Sequence, residues 1–296
     1  MGGGGCDLAD RMGASSVNSV LRLNAKLRAR LFDGLKLAGC VLLGFPLLIY
    51  LFQERLIFFP QPLTKDPLKT NTGAAIEEVT LVTASQVKLN GWLVKAATTQ
   101  TPAPLLIYFG GNAEEVSWLA STAGQYAGWS LLMFNYRGYG RSEGRPGEAE
   151  LFADALQIYD YAASRAPGGR VAVMGRSLGS GVAVYLAAER PVAGAVLISP
   201  YDSIESVAKG IYPFLPIGLM LKHRFDSIAR APGIKVPLLC LVASDDRVIP
   251  RVHSERLYAA WGGKKQWQAI PHTAHDDIAG EPGYWTAIAE FLRDLN

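Results

Sequence analysis

The sequence predicts an α/β domain with a mostly parallel central sheet and helices on both faces, preceded by an N-terminal transmembrane helix. Three observations carry that reading. Five short, continuous apolar runs (104–109, 130–135, 171–174, 195–199 and 238–242) have the composition of strands covered on both faces. Helix-like stretches alternate with them, which is the signature of a doubly wound sheet. Near the start of the chain, Leu37–Phe52 runs for 16 residues without a charge.

Residues 1–30 read as a basic tail, with Arg11, Arg22, Lys26, Arg28 and Arg30 ahead of the apolar stretch. Leu37–Phe52 alone would reach about 24 Å, short of the roughly 30 Å hydrocarbon core of a bilayer. Extension back to Leu31 gives 22 residues that include Asp33 and Lys36, and Lys36 is placed to snorkel to the headgroups. The anchor is therefore set at 31–55. Gly39, Gly44 and Pro46 suit a membrane helix better than a water-soluble one. A buried core helix and an amphipathic helix lying on a membrane are the alternatives; length and flanking charge favour the span. The basic excess before the run predicts a cytoplasmic N-terminus, with everything after about Gln53 on the non-cytoplasmic side. "FQERLIFFP" offers no small-x-small site for signal cleavage. "LAGC" ends in Cys40 before most of the apolar run rather than after it, so the lipoprotein pattern is not met. "MGGGGC" opens like a myristoylation signal but has Cys6 where Ser or Thr belongs. Residues 56–74, rich in Pro, Thr and Lys, read as a linker.

The domain that follows the linker is set at 75–296. "EEVTLVTAS" (77–85) and "QVKLNGWLVKA" (86–96) alternate as two antiparallel strands at a sheet edge. Glu114–Tyr126, Glu148–Ser164 and Leu178–Glu189 read as helices between the apolar runs, 254–261 and 284–292 continue the alternation, and "KQWQAIP" (265–271) reads as a last strand. A net charge of +3 without a basic face gives no footprint for nucleic acid. Cys6, Cys40 and Cys240 offer neither a disulfide pair nor metal-ligand spacing.

Gly175-Arg176-Ser177-Leu178-Gly179 joins the apolar strand 171–174 to a small-residue helix. A serine there stands at the carboxyl end of a parallel strand, where such sheets place their chemistry. Glycines two before and two after allow the sharp turn of a nucleophile elbow. A serine that merely N-caps the helix is the plainer alternative. A serine nucleophile needs a base, and the base an orienting carboxylate, expected in the order Ser, Asp, His. The acid should follow 238–242, which offers Asp245 or Asp246; the base should follow the last strand, which offers His272 or His275.

With these pieces in place the chain, from about Phe52 to Asn296, resembles the α/β-hydrolase superfamily. The likeness is to its small, membrane-anchored serine-hydrolase branch of single-pass proteins and, more distantly, to the depalmitoylases of the same fold. "FQERLIFFP" is similar to the post-anchor signature of that branch, "YFGGNAEE" to its oxyanion loop, "NYRGYGRSEGRP" to its strand-four loop and "GRSLGSGVA" to its elbow. "DRVIP" matches the acid motif and selects Asp246; "AHDDI" matches the histidine motif and selects His275. The resemblance implies an α/β-hydrolase fold and acyl transfer to Ser177. His275 would act as base and Asp246 as its orienting acid, with an oxyanion hole from the N–H of Leu178 and that of Asn112 or Gly111. It implies no metal and no organic cofactor. Gly110 stands where that branch usually has His, which predicts a more mobile oxyanion loop.

Tyr136, Arg137 and Tyr139 are placed either to line the pocket or, for Arg137, to brace the loop through backbone carbonyls. Between 199 and 236 lies an insertion whose centre, 211–221, is apolar and broken by Pro213 and Pro216. It reads as a cap, as a surface dipping into a bilayer, or as a helix packed on the sheet. The leading function is a hydrolase of carboxylic esters or thioesters with an apolar acyl group, its partners a lipid-like substrate and the membrane. The alternative is a serine aminopeptidase-like peptidase, weakened by the insertion's having only Asp202, Glu205 and Asp226 as acids. A non-catalytic, membrane-tethered interaction protein is the third.

Overall fold

The computed structural model describes residues 7–69, 74–98 and 100–295. Cys6 and the "MGGGG" start lie outside the described residues. Eight strands form one sheet: β1 (Ala75–Val82), β2 (Lys88–Lys95), β3 (Leu105–Phe109), β4 (Ser130–Phe134), β5 (Val171–Arg176), β6 (Ala195–Ile198), β7 (Leu238–Ala243) and β8 (Lys265–Ile270). Their order is β1-β2-β4-β3-β5-β6-β7-β8. The pairings of β1 with β2 and β2 with β4 are antiparallel, and all others are parallel. The helices are α1 (Asp7–Ile57), α2 (Glu148–Arg165), α3 (Leu178–Glu189), α4 (Ile204–Ile211), α5 (Ile217–Met220), α6 (Ser227–Arg230), α7 (Arg251–Ala260) and α8 (Pro282–Asp294).

The continuous apolar runs have a direct cause in this architecture. Along β3, Leu105, Ile107 and Phe109 enter one core with residues of α2 and α3, while Leu106 and Tyr108 enter the other with residues of α8. A strand covered on both faces has no side for polar residues. β8 is the contrast: it ends the sheet, leaves most of its residues part-exposed, and carries Lys265, Gln266 and Gln268. Two predicted helices take other forms. The stretch read as helical from Glu114 is a 3-10 helix over Val116–Gln125. There the hydroxyls of Ser121 and Thr122 donate to the carbonyls of Trp118 and Leu119, back-bonding that competes with α-helical pairing. The apolar centre of the insertion is no single helix on the sheet. Pro213 and Pro216 separate α4 from α5, and Ile211, Phe214 and Leu219 are left exposed.

The chain divides into two compact units, Met1–Gln53 and Glu54–Asn296. The stretch Arg30–Ile57, which runs from the first unit into the start of the second, is 28 residues of mean hydropathy 2.1 and is long and apolar enough to cross a membrane. None of its most apolar window is buried inside the protein, which a core helix would require. The second unit begins well before residue 75. The stretch read as a linker is packed on the domain in places: Phe58 joins a core cluster and Pro67 is buried. Proline-rich composition concealed this because a chain can be held by two or three side chains without regular structure.

Arg137 braces its loop, through a side-chain partner rather than through carbonyls. Its guanidinium holds Asp154 of α2 with two hydrogen bonds of 2.7 and 2.6 Å, and both side chains are buried. Removing one partner strands a buried charge, so Arg137→Ala is expected to cost about 3–5 kcal/mol of stability. Arg190→Ala, which breaks a more exposed pair with Asp160, should cost under about 1 kcal/mol. Urea unfolding of the two variants checks the contrast.

Candidate active site

Ser177 stands between β5 and α3 with φ 51° and ψ −119°, a backbone conformation that L residues rarely adopt and that costs about 1–3 kcal/mol. The surrounding structure holds it there. The Ser177 N–H donates to the Ile198 carbonyl at 2.9 Å, and the Ser180 hydroxyl donates to the Ser177 carbonyl at 2.6 Å. The glycines of the motif are required by close approach. A Cβ on Gly179 would overlap the Phe109 carbonyl, and one on Gly175 would overlap the Gly179 carbonyl. The Ser177 side chain makes no N-cap hydrogen bond. Its Oγ lies instead 2.9 Å from His275 Nε2.

On the other side of the ring, His275 Nδ1 is 2.7 Å from Asp246 Oδ2. The three residues come from three loops, each at the carboxyl end of its strand: β5, β7 and β8. Asp246 also accepts the N–H groups of Val248 and Ile249 at 2.9 and 2.8 Å, fixing its orientation. Burial works to raise its pKa, but the hydrogen bonds from His275 and Ile249 outweigh burial and hold the carboxyl below its ordinary value. The competing candidates are elsewhere. His272 and Asp245 are exposed, and Asp245 bonds the neighbouring Ser244 hydroxyl.

Leu178 opens α3, where an N–H has no partner within the helix. The loop after β3 passes beside the serine: a Cβ built on Gly111 would lie 3.5 Å from Ser177 Cβ. The two loop candidates differ. The Gly111 N–H already donates to Glu114 Oε2 at 2.6 Å and is not free to bind an oxyanion, which corrects the expectation for Gly111. The expectation of a mobile loop is also revised. Although Gly110 supplies no side chain, its carbonyl accepts from the Tyr136 hydroxyl at 2.8 Å, and Tyr139 donates to Asn112 Oδ1 at 3.3 Å. Tyr136 and Tyr139 are buried and hold the loop. Burial pushes the Tyr139 hydroxyl up to about 12, so it remains a donor at neutral pH.

Two residues that sequence reasoning did not single out organise all of this. Glu114 is buried and accepts from Tyr108 (2.7 Å), Gly111 (2.6 Å), Trp118 Nε1 (3.0 Å) and Arg176 Nη1 (3.3 Å). Arg176 also donates from Nη2 to the His275 carbonyl and to Asp276, each at 2.9 Å. One carboxylate and one guanidinium thereby join the oxyanion loop, the elbow and the histidine loop. The available signal was an arginine beside the serine and an acid next to the Gly-Gly turn, neither of which has a motif of its own.

An eight-stranded, mostly parallel sheet with a strained serine at the end of its fifth strand defines an α/β hydrolase, and comparison with known proteins agrees. Residues 100–226 match the family model described as serine aminopeptidase, S33. An uncharacterised protein of Mycobacterium tuberculosis, Rv2307c, is 34% identical over 84% of this chain and 90% of its own length. The lysophosphatidylserine lipase ABHD12 of Danio rerio is 28% identical over 71% of this chain and 63% of its own length. Among solved structures, the Pyrococcus furiosus esterase Pf2001 superposes with a TM-score of 0.62 at 19% identity, covering 80% of this chain and 99% of that one. The chain belongs to the α/β-hydrolase superfamily.

Two outcomes follow from the geometry. A glutamine at 114 would turn an NH₂ group toward donors, so Glu114→Gln should lose about 1.5–3 kcal/mol in urea unfolding and lower turnover by roughly tenfold. The second concerns acid. A carboxyl held below its unfolded pKa contributes stability that is present above about pH 4 and lost as pH falls through the folded value. Asp246→Asn should therefore be less stable than the wild type near neutrality, and the difference should shrink as pH falls through the folded value.

Proposed function

We propose that this chain is a membrane-anchored serine hydrolase that cleaves carboxylic ester or thioester bonds carrying an apolar acyl group. The observation that supports it most is the unbroken hydrogen-bonded series Ser177–His275–Asp246, at 2.9 and 2.7 Å, starting from a strained elbow. In this reading His275 Nε2 takes the Ser177 proton as Oγ attacks the carbonyl carbon. The oxyanion is held by the N–H groups of Leu178 and Asn112. Collapse expels the alkoxide or thiolate, which His275 protonates. A water then gives its proton to His275 and its oxygen to the acyl carbon, which releases the acid and regenerates Ser177. Asp246 fixes the imidazole tautomer and steadies its charged form.

Support for an apolar acyl group comes from the exposed Ile211, Phe214 and Leu219 of the insertion, and from the lipase named among the relatives. The membrane assignment rests on the apolar Arg30–Ile57 stretch, and the N-in orientation on the basic residues ahead of it. The aminopeptidase-like reading has one observation in its favour: a groove of about 420 Å³ beside His275 is lined by Asp245, Asp276 and Asp277 together with Arg247. Against it, the acids of the insertion are engaged. Asp202 is buried against His253 and Arg256, Glu205 pairs with Lys209 and Arg224, and Asp226 caps α6.

A fluorophosphonate probe should label the wild type and not Ser177→Ala. His275→Ala should lower kcat by several orders of magnitude. Activity on p-nitrophenyl esters should rise from acetyl to octanoyl, since each buried methylene contributes roughly 0.8 kcal/mol, and Phe214→Asp should flatten the rise. Faster cleavage of aminoacyl amides than of any ester would favour the peptidase reading. Equal labelling of Ser177→Ala would end the reading of Ser177 as the nucleophile. Protease added outside intact cells should digest the catalytic domain; protection until lysis would reverse the orientation.

A further inference from the structure

The last turn of α1 and the first residues after it belong to the catalytic unit and are fastened to it at several points. Phe58 is 3% exposed and meets the His223 ring edge-on at 5.1 Å and the Phe225 ring at 6.2 Å. Glu54 lies 3.6 Å from Lys222 Nζ. The Gln61 carbonyl accepts from the Gly140 N–H at 2.7 Å. Between these fixed points, the main-chain N–H of Phe59 is directed at the oxyanion loop. It lies 2.7 Å from Asn112 Oδ1 and 2.9 Å from the Tyr139 hydroxyl. The same Oδ1 also accepts from the Ala113 N–H at 2.9 Å and from Tyr139 at 3.3 Å.

The loop needs such holding. Gly110 and Gly111 have no Cβ and so little intrinsic stiffness. Ala113 has φ 55°, a left-handed conformation that an alanine keeps only under constraint. Three attachments fix the loop. Tyr136 takes the Gly110 carbonyl and Glu114 takes the Gly111 N–H, both from within the domain. The third takes the Asn112 side chain, and half of it comes from the chain leaving the apolar helix. Asn112 is also the residue whose N–H the proposed reaction uses. Fixing its side chain fixes the direction of its peptide plane.

We propose that Phe59 is a positioning residue: its main-chain N–H, acting with the Tyr139 hydroxyl through the Asn112 side chain, sets the oxyanion-loop donor in register with Ser177. The proposal rests on the reading above, in which Ser177 forms an acyl-enzyme and the Asn112 N–H binds the oxyanion. On this view the chain that leaves α1 is a working part of the active site.

The test is a double-mutant cycle in the full-length, membrane-inserted protein. Phe59→Pro removes the donor. Asn112→Ala removes the acceptor while keeping the residue's own N–H. Each should lower kcat for a p-nitrophenyl ester on the order of tenfold, since displacing a donor costs less than deleting one. KM should stay within about twofold, and kcat is counted per fluorophosphonate-titrated Ser177, which removes unfolded molecules from the measurement. The double variant should lose no more than the worse single, because both changes cut one connection. If Phe59→Pro does not accumulate, Tyr139→Phe takes its place in the same cycle. Wild-type kcat in the single variants, or a double variant equal to the product of the singles, would overturn the proposal while leaving the serine-hydrolase reading intact. A wild type that neither labels nor cleaves esters would overturn both.

Discussion

The buried Glu114 carboxylate is the interaction on which the geometry of this site depends. A carboxylate inside a protein is stable only when its lone pairs are filled, and here four donors from four stretches of chain fill them. Tyr108 belongs to the strand below the site, Gly111 to the oxyanion loop, Trp118 to the following 3-10 helix and Arg176 to the elbow. Each donor is needed because the charge is enclosed, so each stretch is held at a fixed distance from the others. Arg176 extends the arrangement by one step, to the carbonyl of His275. The loops that carry Ser177, His275 and Gly111 are thus joined through a single, largely buried ion pair.

The strain at Ser177 has its counterweight in the sheet. β5 lies between β3 and β6 in parallel register, and both neighbours contribute to the turn: the Ile198 carbonyl accepts the Ser177 N–H, and the Phe109 carbonyl leaves room only for glycine at 179. Helix α3 is buried along most of its length among small residues, which lets it approach the strand closely enough to close the elbow. An open, flexible loop could present a serine too, but could not keep it in a left-handed conformation.

Much of this was legible in the sequence. The parallel strands announced themselves because burial on both faces leaves them almost wholly apolar, as in Leu105–Phe109. The elbow was legible because only glycine fits at 175 and 179. The pairing of Ser177 with His275 and Asp246 could be narrowed by strand order to two acids and two histidines, and the matching motifs chose between them. What stayed hidden was whatever depends on distant partners. Glu114 lies 62 positions from Arg176, and Phe58 lies 165 from His223. No local pattern marks a residue whose partner is set by topology. The 3-10 helix was missed for a different reason: the apolar spacing of Val116, Leu119 and Ala120 suits a helix, and serine and threonine hydroxyls then altered which kind.

The insertion between β6 and β7 enters and leaves at neighbouring parallel strands, and its acids are paired within it or with α7 and the basic stretch before α6. None of the groups around Ser177 comes from its exposed tip. The exposed tip and the loops around Ser177 are therefore separable pieces of chain. Substitutions at the exposed Ile211, Phe214 or Leu219 can accumulate without disturbing the buried ion pair or the elbow, so a lineage built on this scaffold can vary that surface by drift while the machinery at Ser177 stays the same.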